Sequence, residues 1–200
     1  MKNFKPNGLD KQTLYSILTS LVSPRPIALV STKNSDDSVN IAPFSYFNLV
    51  TIKPIPRIAI SIAKKIDASL KDTALNIQKK KLFRVHLVTE DIIESMNETA
   101  TNLPYGRSEL SISGFTIDPN DDLGLKIFEA SASFLCELGQ IISFESADLY
   151  IAKILSIDVD EAFMTSDHEI DILKLNVVGR LSKNDYNIVK DKITIRRKTL

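Results

Sequence analysis

Along the chain the period of the apolar positions changes repeatedly, and each change marks an element. After Asp10, which can cap a helix, Leu14, Ile17, Leu18 and Leu21 share one face at spacings of three and four. Pro24 and Pro26 stop that helix and begin an extended segment. Residues 27–32 open with four apolar residues in a row before Ser31 and Thr32, and read as a strand buried on both faces. A polar turn at 34–38 leads into a β-rich run over 39–50. Pro43 inside that run has no amide hydrogen for a ladder, which predicts an edge or a bulge. Pro54 and Pro56 break the next connection, and residues 57–62 alternate as a strand. Lys71-Asp72-Thr73 then opens a short helix that closes on three lysines, so charge complements the helix dipole at both ends. Residues 82–88 form a strand. Thr89 can cap a helix in which Ile92, Ile93, Met96 and Ala100 share a face. Residues 101–130, with Pro104, Gly106, Gly114, Pro119 and Gly124, read as a long excursion that covers a site or a partner. Residues 131–145 and 148–160 pattern as a hairpin, and 172–178 as a last strand. Many strands, with helices between them but no βαβ regularity, predict a mainly β barrel with helical insertions.

Composition narrows the function classes. The 200 residues are 44% hydrophobic and 25% charged, enough for one core in a single domain spanning 1–200. The 25 basic and 25 acidic side chains cancel, which argues against nucleic acid or an anionic membrane as the chief partner. No apolar run nears the roughly 20 residues that span a bilayer, and no apolar signal core follows Met1. A cytoplasmic protein is the expectation. One cysteine, Cys136, can form neither an internal disulfide nor a metal knuckle, and its apolar neighbours predict a buried, inert thiol. His86 and His168 lie far apart, one in a strand and one in an acidic loop, which makes a poor metal pair. The loop acids Asp158, Asp160, Glu161, Asp167, Glu169 and Asp171 lack the order and glycine of an EF-hand. The basic tail from Lys190 to Lys198 reads as a solvated strand or arm.

Three stretches carry candidate chemistry. In Lys71-Asp72-Thr73 the free amides of a helix start, a lysine and a hydroxyl could together hold a phosphate monoester. Taken alone, a capped surface helix with a solvated lysine is the commoner reading. In Asn40-Ile41-Ala42-Pro43-Phe44-Ser45-Tyr46-Phe47-Asn48, Ser45 and Phe47 would point to one face and Tyr46 and Asn48 to the other. Polar groups interleaved with aromatics suit a planar heterocycle with polar edges, and equally suit a strand end with core aromatics. Arg25, between two prolines, is either a rigid anion or carbonyl ligand or a surface arginine at a strand start.

In their order and separation these stretches resemble the flavin reductase-like, FMN-binding split-barrel family, whose patterns run S-P-R-P-I-A-x-V-S-T, N-x-A-P-F-S-x-F-N and K-D-T-x-x-N-I. Glu94-Ser95-Met96-Asn97, Pro104-Tyr105-Gly106, the stretch from Glu109 to Gly114-Phe115, Cys136-Glu137-Leu138, Gly179-Arg180-Leu181 and Asp185-Tyr186 extend the likeness over about residues 22–187. It departs at Asp37-Ser38-Val39, where the family often has Asp-Gly, and at residues 125–129, where a more proline-rich entry is usual. The resemblance implies a six-stranded Greek-key split barrel, a homodimer, and FMN near the dimer interface. Carried over by position, Arg25, Ser31 and Thr32 would line the flavin. Ser45, Tyr46, Phe47 and Asn48 would meet the ring edge and ribityl chain, and Lys71, Asp72 and Thr73 the phosphate. The implied activity is hydride transfer from NAD(P)H to the flavin, with electrons passed to a partner oxygenase or another acceptor. Such chemistry belongs to the cofactor and needs no catalytic triad. A flavoredoxin-like carrier without NAD(P)H turnover, and a binding barrel without cofactor, are the alternatives.

Overall fold

A computed structural model of the chain describes residues 1–104, 106–166 and 168–196. Helix α1 (Lys11–Leu21) begins where the spacing predicts, because the Asp10 carboxylate accepts the amide hydrogens of Gln12 and Thr13 at 3.0 and 2.9 Å. Strands β1 (Arg25–Pro26), β2 (Ala28–Lys33), β3 (Val39–Phe44), β4 (Phe47–Thr51) and β5 (Arg57–Ala63) follow. Helix α2 (Asp72–Lys80) and strand β6 (Leu82–Leu87) lead to α3 (Ile93–Glu98) and the one-turn α4 (Leu110–Ser113). The long hairpin β7 (Ala132–Ser143) and β8 (Ala147–Val159) comes next, then β9 (Met164–Ser166) and β10 (Glu169–Ile170). Helix α5 (Ile172–Leu175) and strands β11 (Val178–Arg180) and β12 (Tyr186–Ile188) complete the order.

Seven strands make one antiparallel sheet in the order β3-β2-β6-β7-β8-β5-β4. Its two edge strands, β3 and β4, are consecutive in sequence and are joined only by Ser45 and Tyr46. The sheet therefore curls until its edges are bridged by the chain itself, giving a mainly β split barrel with an open seam. Six strands were expected. The main sheet has seven, because the 39–50 run breaks at Ser45-Tyr46 into strands on opposite edges. Pro43 lies in an edge strand, as its missing donor requires.

Two apolar clusters flank the wall. Ala28, Val30, Phe83, Val85, Ile60 and Tyr150 fill the barrel. Ile27, Leu29, Ile41, Met96, Phe115 and Ile127 pack outside it, beneath α3 and the long loop. β2 is apolar at successive positions because it contributes to both clusters. A smaller sheet, β1-β11-β12, closes beside α1. There Gly179 runs so close to Pro24 that a Cβ would lie 2.7 Å from the proline Cβ.

The 172–178 segment is not a strand. Asp171 accepts the amide hydrogens of Leu173 and Lys174 at 3.2 and 3.1 Å and so starts α5, and Asn176 in the left-handed region (φ 49°) ends it. Thr89 does not cap a helix, since its hydroxyl donates to the Asp91 carboxylate and a 3-10 turn precedes α3.

The long loop is fastened from inside the wall. The Ser31 hydroxyl donates to the Leu125 carbonyl at 2.5 Å, Arg84 pairs with Asp121 at 3.1 Å and with Asp158, and His86 Nε2 accepts the Ile127 amide hydrogen at 2.9 Å. His86 is fully buried, and that burial pushes its pKa down to about 3. Cys136 is buried in the barrel, which pushes its thiol up to about 12. Among the described residues no group of three His, Cys, Asp or Glu side chains could hold a metal ion, and no helix is long and apolar enough to cross a membrane. Tyr105 of the Pro104-Tyr105-Gly106 stretch, Asp167 of the acidic loop, and Arg197 and Lys198 of the basic tail lie outside the described residues.

Candidate functional site

Helix α2 opens without a cap. Lys71 is its N-cap residue, in extended conformation (φ −72°, ψ 158°), and no side chain caps the helix start. The first amide hydrogens and the positive end of the dipole are thus left for something else. Asp72, at the first helical position, is turned aside: one carboxylate oxygen accepts the Gly106 amide hydrogen at 3.0 Å and the other lies 3.5 Å from Lys65 Nζ. Thr73 is buried, and its Oγ1 accepts from Asn40 Nδ2 at 2.9 Å. Asn40 comes from β3, so one hydrogen bond ties the helix start to the barrel edge.

A cavity of about 800 Å³ opens at this junction, within the range of about 300–1,000 Å³ usual for small-molecule sites. One wall is the β3 segment Asn40, Ala42, Pro43 and Phe44, and the helix start, Lys71 to Thr73, closes one end. Residues 64–67 and 99–104, with Arg107 and Glu109, form the rest. Lys64 lies 3.4 Å from Asp148 and Lys65 3.5 Å from Asp72. Lys71 and Arg107 have no carboxylate partner among the described residues. The cavity therefore has a cationic end, at Lys71 and the helix start, and an apolar side at Ala42, Pro43 and Phe44.

Glu109 is the buried acid of this site. Its carboxylate accepts the Ile41 amide hydrogen at 2.8 Å, while the Ser108 hydroxyl donates to the Val39 carbonyl. Between them these two side chains occupy the outer edge of β3. Burial pushes the Glu109 pKa above the usual carboxylate range, and the Ile41 hydrogen bond offsets only part of that.

Of the ten residues singled out in the sequence, Lys71, Asp72 and Thr73 line the cavity. The other seven do not. Arg25 is buried, and its guanidinium donates to the carbonyls of Thr19, Val22 and Leu181 at 2.6, 2.7 and 2.6 Å, which caps the C-terminal end of α1. Ser31 holds the long loop from inside the wall. Thr32 is one layer below the cavity, where its Oγ1 accepts from Asn40 Nδ2 and Asn76 Nδ2 at 3.3 and 3.0 Å. Ser45 and Tyr46 form the seam link, and Tyr46 is half-exposed with the Arg25 guanidinium 5.9 Å from its ring centre. Phe47 packs on the barrel core, and Asn48 is exposed. Asn40, Lys64, Lys65, Arg107 and Glu109 line the cavity but were not singled out as site residues. Asn40 and Glu109 both lie inside motifs quoted above. For the two lysines and Arg107 the sequence holds no signal beyond charge in a loop.

Residues 21–169 match the model of the flavin reductase like domain. The chain belongs to the flavin reductase-like family. This flavin reductase-like protein is 34% identical to an uncharacterized protein of Halalkalibacterium halodurans, over 98% of its own length and 96% of the relative's. It resembles the crystal structure of nitrilotriacetate monooxygenase component B from Bacillus cereus with a TM-score of 0.91 and 29% identity, covering 98% of each chain. The 2-nitrobenzoate 2-nitroreductase of Pseudomonas fluorescens is similar with a TM-score of 0.88 and 27% identity, over 99% of this chain and 97% of that one.

Proposed function

We propose that this flavin reductase-like protein binds FMN in the cavity at the start of α2 and acts as an NAD(P)H-dependent flavin oxidoreductase. The observation that carries the reading is the uncapped helix start, with Lys71 and Thr73, opening into the same cavity as the apolar Ala42-Pro43-Phe44 wall. A phosphate monoester suits the first feature and a planar ring the second. When bound, FMN supplies a ring that takes a hydride at N5 and passes electrons on. The chain's own task is to position and shield it. Lys71, Thr73 and the free amides would hold the phosphate, while Asp72 is kept from opposing it by Gly106 and Lys65. Ala42, Pro43 and Phe44 would exclude water from one side of the ring, and Ser45 to Asn48 follow directly along the chain. Similarity to a monooxygenase component fits a role in handing reducing equivalents to a partner oxygenase.

A homodimer is part of this proposal. Leu18 and Leu21 of the predicted α1 face are 50% and 77% exposed, and Tyr15 and Val22 join them. Tyr46, Leu49 and Val50 extend exposed apolar surface towards the seam. A second copy covering that surface would also cover Tyr46 and Asn48.

Purified protein should bind FMN with flavin absorbance, and should oxidise NADH or NADPH when FMN is present. Lys71→Ala should weaken FMN binding about tenfold. Unchanged FMN affinity in that variant would defeat the phosphate assignment. Tight FMN without nicotinamide oxidation would leave an electron carrier instead.

A further inference from the structure

We infer that a chain of hydrogen bonds running from the exposed Asp36 to the buried Thr73 aims the Thr73 hydroxyl hydrogen into the cavity, with Asn40 as the positioning residue at its last link. The inference rests on the proposed FMN site, whose phosphate that hydroxyl would meet.

As far as Thr32 the direction of each bond follows from the one before, and from there it is set by Asn40, whose Nδ2 faces both threonine hydroxyls. An ionised carboxylate only accepts, so the Ser38 hydroxyl donates to Asp36 Oδ1 at 2.6 Å. That bond also holds the Asp36 carboxyl below its usual range. Ser38 Oγ, its hydrogen used, accepts from Asn34 Nδ2 at 3.0 Å. This turns Asn34 Oδ1 towards Asn76, whose Nδ2 gives one hydrogen to it at 2.8 Å and the other to Thr32 Oγ1 at 3.0 Å. Asn40 Nδ2 gives its two hydrogens to Thr32 Oγ1 at 3.3 Å and to Thr73 Oγ1 at 2.9 Å. Thr73 thus enters the chain as an acceptor, and its own hydrogen has no acceptor among the described residues. Thr73 is 2% exposed and lines the cavity. A buried O–H left without a partner is unfavourable, and a phosphate oxygen beside the open helix start would satisfy it. Thr73 and Asn76, three apart, face the wall together, so the chain also fixes the rotation of α2. The site should therefore select a phosphomonoester over the same ring system without one.

The test compares Kd for FMN and for riboflavin, read by flavin fluorescence, in wild type, Thr73→Val, Thr73→Ser, Asn40→Ala and the Thr73→Val/Asn40→Ala double variant. Wild type should prefer FMN. Thr73→Val should weaken FMN binding about 10- to 100-fold and leave riboflavin binding unchanged, while Thr73→Ser keeps the preference. Asn40→Ala should lose part of the same preference, and lose little more in the Thr73→Val background. A wild-type preference for FMN that survives in Thr73→Val overturns the inference and leaves the FMN site standing. Equal wild-type affinity for FMN and riboflavin overturns the FMN reading itself. If Asn40→Ala does not fold, the Thr73 pair still decides whether the hydroxyl selects phosphate.

Discussion

His86 has both ring nitrogens engaged inside the wall: Nδ1 bonds the Leu29 carbonyl at 3.1 Å, and Nε2 accepts from the Ile127 amide at 2.9 Å. Only the neutral ring, carrying its hydrogen on Nδ1, can make both bonds. With a pKa of about 3 in the fold and 6.5 in the free side chain, the unfolded chain takes up a proton that the folded one refuses. Its contribution is complete above pH 6.5 and falls by about 1.4 kcal/mol per unit as the pH drops towards 3. Urea midpoints should show wild type losing about 2 kcal/mol between pH 6.5 and 5, with a flatter profile in His86→Gln. Equal slopes in the two proteins would refute the assignment. Glu109, held above its usual range, contributes in the opposite sense near its own titration, so the comparison with His86→Gln isolates the histidine. The sequence favoured a structural or solvent role for His86 but did not show what it bonds, because one partner is a backbone amide 41 residues away. Arg25 is buried rather than a surface arginine, and the carbonyls its guanidinium holds belong to α1 and Leu181, which no local signal announces.

At the scale of elements, local signals worked where caps and periods decide. Asp10 fixed the start of α1, the lysines mark the end of α2, and the two halves of the β7–β8 hairpin fall where alternation put them. They failed at 172–178, where one capping aspartate outweighs five apolar residues. Pro43 announced an edge strand, yet nothing local revealed that Glu109, 68 residues later, would supply the acceptor for Ile41. This bond is testable on its own. Glu109→Ala should cost about 1–3 kcal/mol in urea unfolding and speed hydrogen exchange at the Ile41 amide, whereas Glu109→Gln keeps an acceptor and most of the protection. Protection of Ile41 unchanged in the alanine variant would show that the loop does not seal the edge.

For the whole molecule, the barrel was legible from strand number and the absence of βαβ spacing, and Lys71 to Thr73, read as a phosphate end, lie on the wall of the cavity. The exposed half of the α1 stripe was not, since periodicity marks an apolar face without saying what covers it. If that surface meets a second copy, Leu18→Asp combined with Leu49→Asp should give a monomer in sedimentation velocity while the circular dichroism of the fold is kept. Dimers persisting in this variant would move the contact elsewhere. The seam has its own consequence. Everywhere else around the wall, a change of girth would have to slide one ladder against the next. Between β3 and β4 only Ser45 and Tyr46 intervene. Tolerance for guests of different bulk should thus reside at that two-residue clasp, where the bond to give way is the one from the Ser61 amide to the Tyr46 carbonyl, 2.8 Å.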